Sequence, residues 1–160
     1  MAWRVFFCFH YERDIWRANV VRNSWVTQPD RDAAGFWDAS LWEHAKRLGD
    51  DAVRHLINEG LKNTSVTVVL IGAQTAERRW VKYEITQSYK LGHGLLGIYI
   101  HKIEGRHGRT DTRGPTPFNR AYAIDRRVVF ISAPVYYWFR DAGYDNVGRW
   151  IESAARAAGR

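Results

Sequence analysis

The chain has 160 residues, near the modal size of one compact domain, and at that length folding removes roughly two thirds of the unfolded surface from water. Apolar residues make up 46%, aromatics 14% and charged residues 26%, which excludes disordered, collagen-like and low-complexity classes. Lysine plus arginine number 24 against 17 acidic residues, a formal charge of +7, and the excess is uneven: net +2 over residues 1–100 and net +5 over residues 101–160.

Such asymmetry points to an anionic partner, whether nucleic acid, a membrane surface or a phosphorylated small molecule. The single cysteine, Cys8, has no intramolecular disulfide partner. The apolar run 5–9 is too short for the core of a signal peptide, and no small-residue cleavage site follows it. No apolar stretch approaches the roughly 20 residues needed to span a bilayer. The expectation is one domain over residues 1–160, cytoplasmic, with no membrane partner.

In chain order, residues 3–9 are rich in β-formers and almost wholly apolar, the pattern of a central strand covered on both faces. The spacing of Ile15, Trp16, Ala18, Val20 and Val21 predicts a helix ending near Asn23 or Ser24. Residues 28–38 carry Pro29 and Gly35 and read as a loop with a short edge strand at Phe36 and Trp37. Helical patterns follow from Ser40 to Leu48 and, after Gly49, through Leu61. Residues 66–71 are β-branched, uncharged and closed by Gly72, as in a buried parallel strand. A helix over about 77–91 and a third buried strand over 95–100 complete a β, α, β, α, β alternation, which implies parallel strands joined by right-handed crossovers. Residues 102–121 form a basic surface loop. Residues 128–131 are expected as the last strand, 134–142 as a short helix begun by proline, and 144–158 as an amphipathic final helix. The expected fold class is α/β: a flavodoxin-like three-layer sandwich on a five-stranded parallel sheet.

Ligands of such sheets bind beyond the carboxyl ends of the strands, where strand order reverses. That rule selects Phe9, His10, Tyr11 and Glu12 after the first strand, the loop at Phe36, Trp37 and Asp38, the segment from Gly72 to Trp80, and the chain from His101 onward. The strand 66–71 ends without a carboxylate, so a phosphoacceptor domain is excluded. Neither GxGxxG nor GxxxxGK[ST] occurs, so a nucleotide has to be held by other means. His93, His101 and His107 lack zinc-motif spacing, and no metal is expected. Cys8 reads as inert core, without a cationic neighbour to activate it.

One helical pair stands out. Trp80 and Glu84 lie four apart on one face, near the strand ends, while Val81, Ile85 and Ser88 form the adjoining stripe. The residues at i±3 and i±4 from Glu84 are Trp80, Val81, Gln87 and Ser88, none of them cationic. The ordinary intrahelical ion pair of a solvated glutamate is therefore absent. A carboxylate beside an indole can bind sugar hydroxyls while the ring stacks on a flat heterocycle.

The strings VFFCFHYERD, AAGFWDASLWEHAKR, NTSVTVVLIGAQTAERRWVKYEI and GLLGIYIH together resemble the TIR-like proteins of the Thoeris antiphage defence system over about residues 3–120. Beyond residue 120 the likeness fades. The resemblance implies a TIR-like fold and cleavage of the nicotinamide–ribose bond of NAD, which is a substrate and not a cofactor. It further implies cyclisation of ADP-ribose into a diffusible cyclic nucleotide that activates a separate effector protein, with self-assembly or a phage signal as trigger. Carried over by position, Glu84 is the catalytic glutamate and Trp80 its aromatic neighbour, with Phe9, His10 and Tyr11 where the first loop approaches the nucleotide. Strand-end placement adds Phe36 and Trp37 as aromatic walls. Asp38 either touches a ribose or caps the helix from Ser40, and His10 either contacts phosphate or ribose or is structural. Lys102, Arg106, Arg109 and Arg113 offer attraction for a pyrophosphate or are simply solvated.

Two other classes stand beside this one: a non-catalytic TIR interaction module, and a nucleoside deoxyribosyltransferase-like enzyme, whose chemistry also needs a carboxylate on a similar sheet. Basicity alone is weak support for nucleic acid, and no RNP or zinc-finger signature accompanies it.

Overall fold

A computed structural model describes residues 4–160; Trp3, placed in the first strand by its sequence, lies outside them. The central sheet has five strands, all parallel, in the order β2-β1-β3-β4-β7: β1 (Arg4–Cys8), β2 (Asp32–Ala34), β3 (Val66–Ile71), β4 (Gly94–Tyr99) and β7 (Val135–Tyr137). Order reverses between β1 and β3, since the chain goes from β1 to β2 on one side and then to β3 on the other.

The strand period of two divides the core. Val5, Phe7 and Phe9 point to the face covered by α1 (Tyr11–Val26) and α5 (Gly143–Ala157), among Val21, Trp25, Trp150 and Ile151. Phe6 and Cys8 point to the face covered by α2 (Ala39–Leu48), α3 (Asp50–Leu61) and α4 (Arg79–Lys90), among Val53, Ile57, Val81 and Ile85. This is the α/β, flavodoxin-like three-layer arrangement. Among the described residues no helix is long and apolar enough to cross a membrane.

Several expectations change. Helix α1 runs on to Val26 because Trp25 is wholly buried and its indole N–H donates to the Asp32 carbonyl at 3.0 Å. The edge strand is Asp32–Ala34, ahead of Phe36 and Trp37. Gly35 ends it with φ +91°, where a Cβ would lie 2.2 Å from the Phe7 carbonyl oxygen.

The largest correction concerns the last strand. Residues 127–131 form β6 (Arg127–Ile131), which pairs antiparallel with β5 (Arg120–Ile124) in a separate two-stranded ribbon packed over the α4 face. The fifth strand of the main sheet is Val135–Tyr137, inside the stretch expected as a proline-begun helix. Proline lacks only an N–H, and at this sheet edge it needs none: the Pro134 carbonyl accepts from the Gly97 amide at 2.9 Å. Val135, Tyr136 and Tyr137 then extend as β-formers alongside Gly97–Tyr99. The helix expected over 77–91 also divides, into a single 3-10 turn (Thr75–Glu77), an extended Arg78, and α4. Trp80 thereby becomes the second residue of α4, at the carboxyl end of the sheet.

Candidate active site

At the reversal between β1 and β3, a cavity of about 190 Å³ opens where several elements converge. The end of β1 and the start of α1 contribute Phe7, Phe9, His10, Tyr11 and Glu12; the segment after β2 contributes Gly35 and Trp37; α2 contributes Trp42 and Lys46; and the start of α4 contributes Arg78, Arg79, Trp80, Val81 and Glu84.

Glu84 is its chemical centre. The side chain is 3% exposed, and Oε2 has no hydrogen-bond partner. Burial pushes its carboxyl up to about 8, and the Cys8 thiol offsets only part of that. Cys8 reaches this position because the strand period turns it to the α4 face, where its Sγ lies 3.8 Å from the Val81 carbonyl oxygen. Its own thiol is pushed well above the ordinary value, first by burial and then by Glu84. It is therefore no nucleophile at neutral pH.

A second carboxylate, Glu12, sits at the rim in the opposite condition. It accepts hydrogen bonds from the Trp42 indole N–H at 3.2 Å and Lys46 Nζ at 2.8 Å, and His10 Nε2 lies 3.5 Å away. Partial burial raises its carboxyl, but the Lys46 and Trp42 hydrogen bonds and its backbone contact overcome this and hold it at about 2. The His10 ring is kept neutral more readily than a free imidazole, by burial and then by the Arg78 charge. One site thus contains an ionised carboxylate bound to cations and a protonated one held in an apolar wall, which is the separation of acid and base character expected where chemistry is done.

Aromatic rings make most of the wall. Trp37 and Trp42 stack with centroids 5.3 Å apart, Tyr11 lies 5.8 Å from Trp42 and 6.0 Å from Phe9, and the Tyr11 hydroxyl donates to the Trp37 carbonyl at 2.8 Å. Trp80 carries the Arg79 guanidinium over its ring, 4.5 Å from the centroid.

Of the residues singled out from the sequence, Phe9, His10, Tyr11, Trp37, Trp80 and Glu84 come together in this lining; Phe36 and Asp38 do not. Phe36 turns to the other face of the sheet and packs on Phe7 and Phe9, centroids 5.6 and 5.0 Å away. Asp38 accepts the Ser40 amide at 2.8 Å and so caps α2. The basic loop contributes Arg106 and Arg109 to a separate groove with Arg13 and Arg17. Sequence reasoning gave no role to Glu12, Trp42, Lys46, Arg78 and Arg79, although the strand-end segments it selected contain Glu12, Arg78 and Arg79. A signal for the other two existed, since Trp42 and Lys46 stand four apart on α2 and so share a face. Among the described residues no group of three His, Cys, Asp or Glu side chains is placed to hold a metal.

Comparison with known proteins agrees with this architecture. The family model described as "Thoeris protein ThsB, TIR-like domain" matches residues 6–104. A curated relative from Bacillus cereus (strain MSX-D12), "Putative cyclic ADP-D-ribose synthase ThsB1", is 54% identical over 120 residues, 74% of this chain and 62% of the relative. The chain thus spans less than two thirds of that relative's length. The matched segment contains every residue of the cavity's lining. The chain belongs to the TIR-like domain family of the Thoeris protein ThsB.

Proposed function

We propose that this chain cleaves NAD between nicotinamide and ribose and cyclises the remaining ADP-ribose, with Glu84 as the catalytic residue. The observation that carries the reading is the Glu84 carboxyl itself: nearly fully buried, half unpartnered and facing an aromatic-walled cavity at the strand-order reversal. The printed name of the Bacillus cereus relative, a cyclic ADP-D-ribose synthase, supports the same chemistry.

Nicotinamide leaves as a neutral molecule from a cationic pyridinium. The bond from C1′ to the ring nitrogen breaks with its electron pair on nitrogen, and positive charge develops at C1′. No strong acid is required. The cationic pyridinium ring entering the cavity favours the ionised form of Glu84, which then accepts hydrogen bonds from the ribose hydroxyls. Those bonds strengthen as charge develops, a contribution of several kcal/mol in related sugar chemistry. An internal hydroxyl or adenine nitrogen then attacks C1′, and the aromatic walls of Phe9, Tyr11, Trp37 and Trp80 keep water from doing so first. Lys46, Arg78 and Arg79 supply positive charge at the rim for the pyrophosphate. In this reading His10 adjoins the nucleotide, the cyclic product diffuses to an effector protein, and residues 1–160 act as one TIR-like domain built on the five-stranded sheet.

The test is incubation of the purified chain with NAD, followed by chromatography of nicotinamide, ADP-ribose and cyclic products. Release of nicotinamide by the wild type and its loss in Glu84→Gln are expected. Release that persists in Glu84→Gln overturns the assignment.

A further inference from the structure

The Trp80 indole is held from outside the cavity, by α3. Asp50, Arg54 and Asn58 stand four residues apart and form one stripe on that helix. Each reaches the start of α4. Asp50 accepts two hydrogen bonds from Arg79, at 3.2 and 2.5 Å, a forked pairing that fixes the guanidinium's plane. That guanidinium lies over the Trp80 ring, and the Arg54 guanidinium lies 6.0 Å from the same centroid. Asn58 accepts from the Tyr83 hydroxyl at 3.1 Å, and the Tyr83 ring meets Trp80 edge-on with centroids 5.7 Å apart. Asp50, Arg54, Asn58 and Tyr83 do not line the cavity; Arg79 and Trp80 do.

An exposed ion pair of this kind contributes little to global stability. Its effect here is local, because it decides where a partly exposed indole sits. We infer that Asp50 is a positioning residue: through Arg79 it holds Trp80 as a fixed wall of the cavity and so sets the division of cleaved substrate between cyclic and linear product. This rests on the reading of Glu84 proposed above. Once nicotinamide has left with the bonding pair, C1′ is captured either by an internal nucleophile of the ADP-ribose, closing the ring, or by water, giving linear ADP-ribose; a hydroxyl or water that adds passes its proton to the Glu84 carboxylate. A loosened indole admits water to that competition while leaving the Glu84 carboxyl, one turn further into α4, in place.

The experiment measures nicotinamide release and the ratio of linear to cyclic product for wild type, Asp50→Asn, Arg79→Met and the double variant. Glu59→Gln, which removes the Lys62 partner elsewhere on α3, serves as control. Asp50→Asn is expected to raise the linear fraction about threefold, the size that a cation–π contact at a partly exposed site supports, with nicotinamide release changed less than that. In the Arg79→Met background Asp50→Asn is expected to add nothing, and Arg79→Lys to restore part of the wild-type ratio. Fluorine NMR of 5-fluorotryptophan-labelled protein reads the same brace without turnover: the Trp80 line, assigned by its loss in Trp80→Phe, is expected to shift or broaden in Asp50→Asn and not in Glu59→Gln. An unmoved Trp80 line, or an unchanged product ratio in Asp50→Asn, overturns the inference. Absence of nicotinamide release from the wild type overturns the proposed function instead, and the NMR arm still decides the brace.

Discussion

Glu84→Gln should stabilise the protein, and by an amount that grows with pH. The ordinary value of this carboxyl is 4.5 and burial lifts it to about 8 in the folded chain. A carboxyl raised in this way contributes stability below pH 4.5 and loses it as pH rises through 8, because the unfolded chain ionises freely while the folded one resists. The ionisation forgone on folding is worth about 1 kcal/mol at pH 5, about 3 kcal/mol at pH 7 and about 5 kcal/mol at pH 8.5. Glutamine matches the shape and does not titrate. Any cost of burying its amide is independent of pH, so the growth of the gap, about 4 kcal/mol between pH 5 and 8.5, is the diagnostic quantity. Urea unfolding of wild type and variant at these three pH values measures it. At pH 7, a gain of about 3 kcal/mol corresponds to a melting temperature roughly 6–12 °C higher for a domain of this size. The same substitution should abolish nicotinamide release, the exchange of stability for activity expected if this carboxyl is the reactive group proposed above. A stability gap that stays constant from pH 5 to 8.5 refutes the reasoning, since Glu84 would then ionise equally in both states.

The same carboxyl predicts the pH dependence of turnover: kcat/KM for nicotinamide release should rise about tenfold from pH 6 to 7 and level off above 8, and a profile flat across that range argues against Glu84 as the ionising group. Gly35→Ala places a Cβ against the Phe7 carbonyl at positive φ and should cost at least about 2 kcal/mol in urea unfolding; equal stability would contradict the close approach. Asp38→Ala removes the α2 cap and should cost about 1 kcal/mol while leaving KM within about twofold. A large rise in KM would return Asp38 to the substrate.

Much of the site was legible because its residues lie on strongly patterned elements. The uniform apolar character of residues 5–9 and 66–71 marks two buried parallel strands. The lack of any cation near Glu84 on its own helix marks a carboxylate without a local partner. Phe36 was misjudged because aromatic residues beside a strand end look alike until the chain's turn is known: Gly35 sends the chain across Phe7, leaving Phe36 on one face and Trp37 on the other. Glu12, Arg78 and Arg79 lie in the selected strand-end segments but had no role there, because exposed charges carry no periodic signal and only their convergence gives them a place.

Local sequence therefore determined the parallel α/β plan, the helix that bears Trp80 and Glu84, and the end of the sheet where they sit, since burial on both faces and helical spacing are written in short-range pattern. Tertiary structure alone decided the fifth strand, the separate ribbon and the depth of Glu84. An edge position frees Pro134 from its missing N–H, and long-range packing around Cys8 and Val81 removes from water a carboxylate that its own helix would leave solvated.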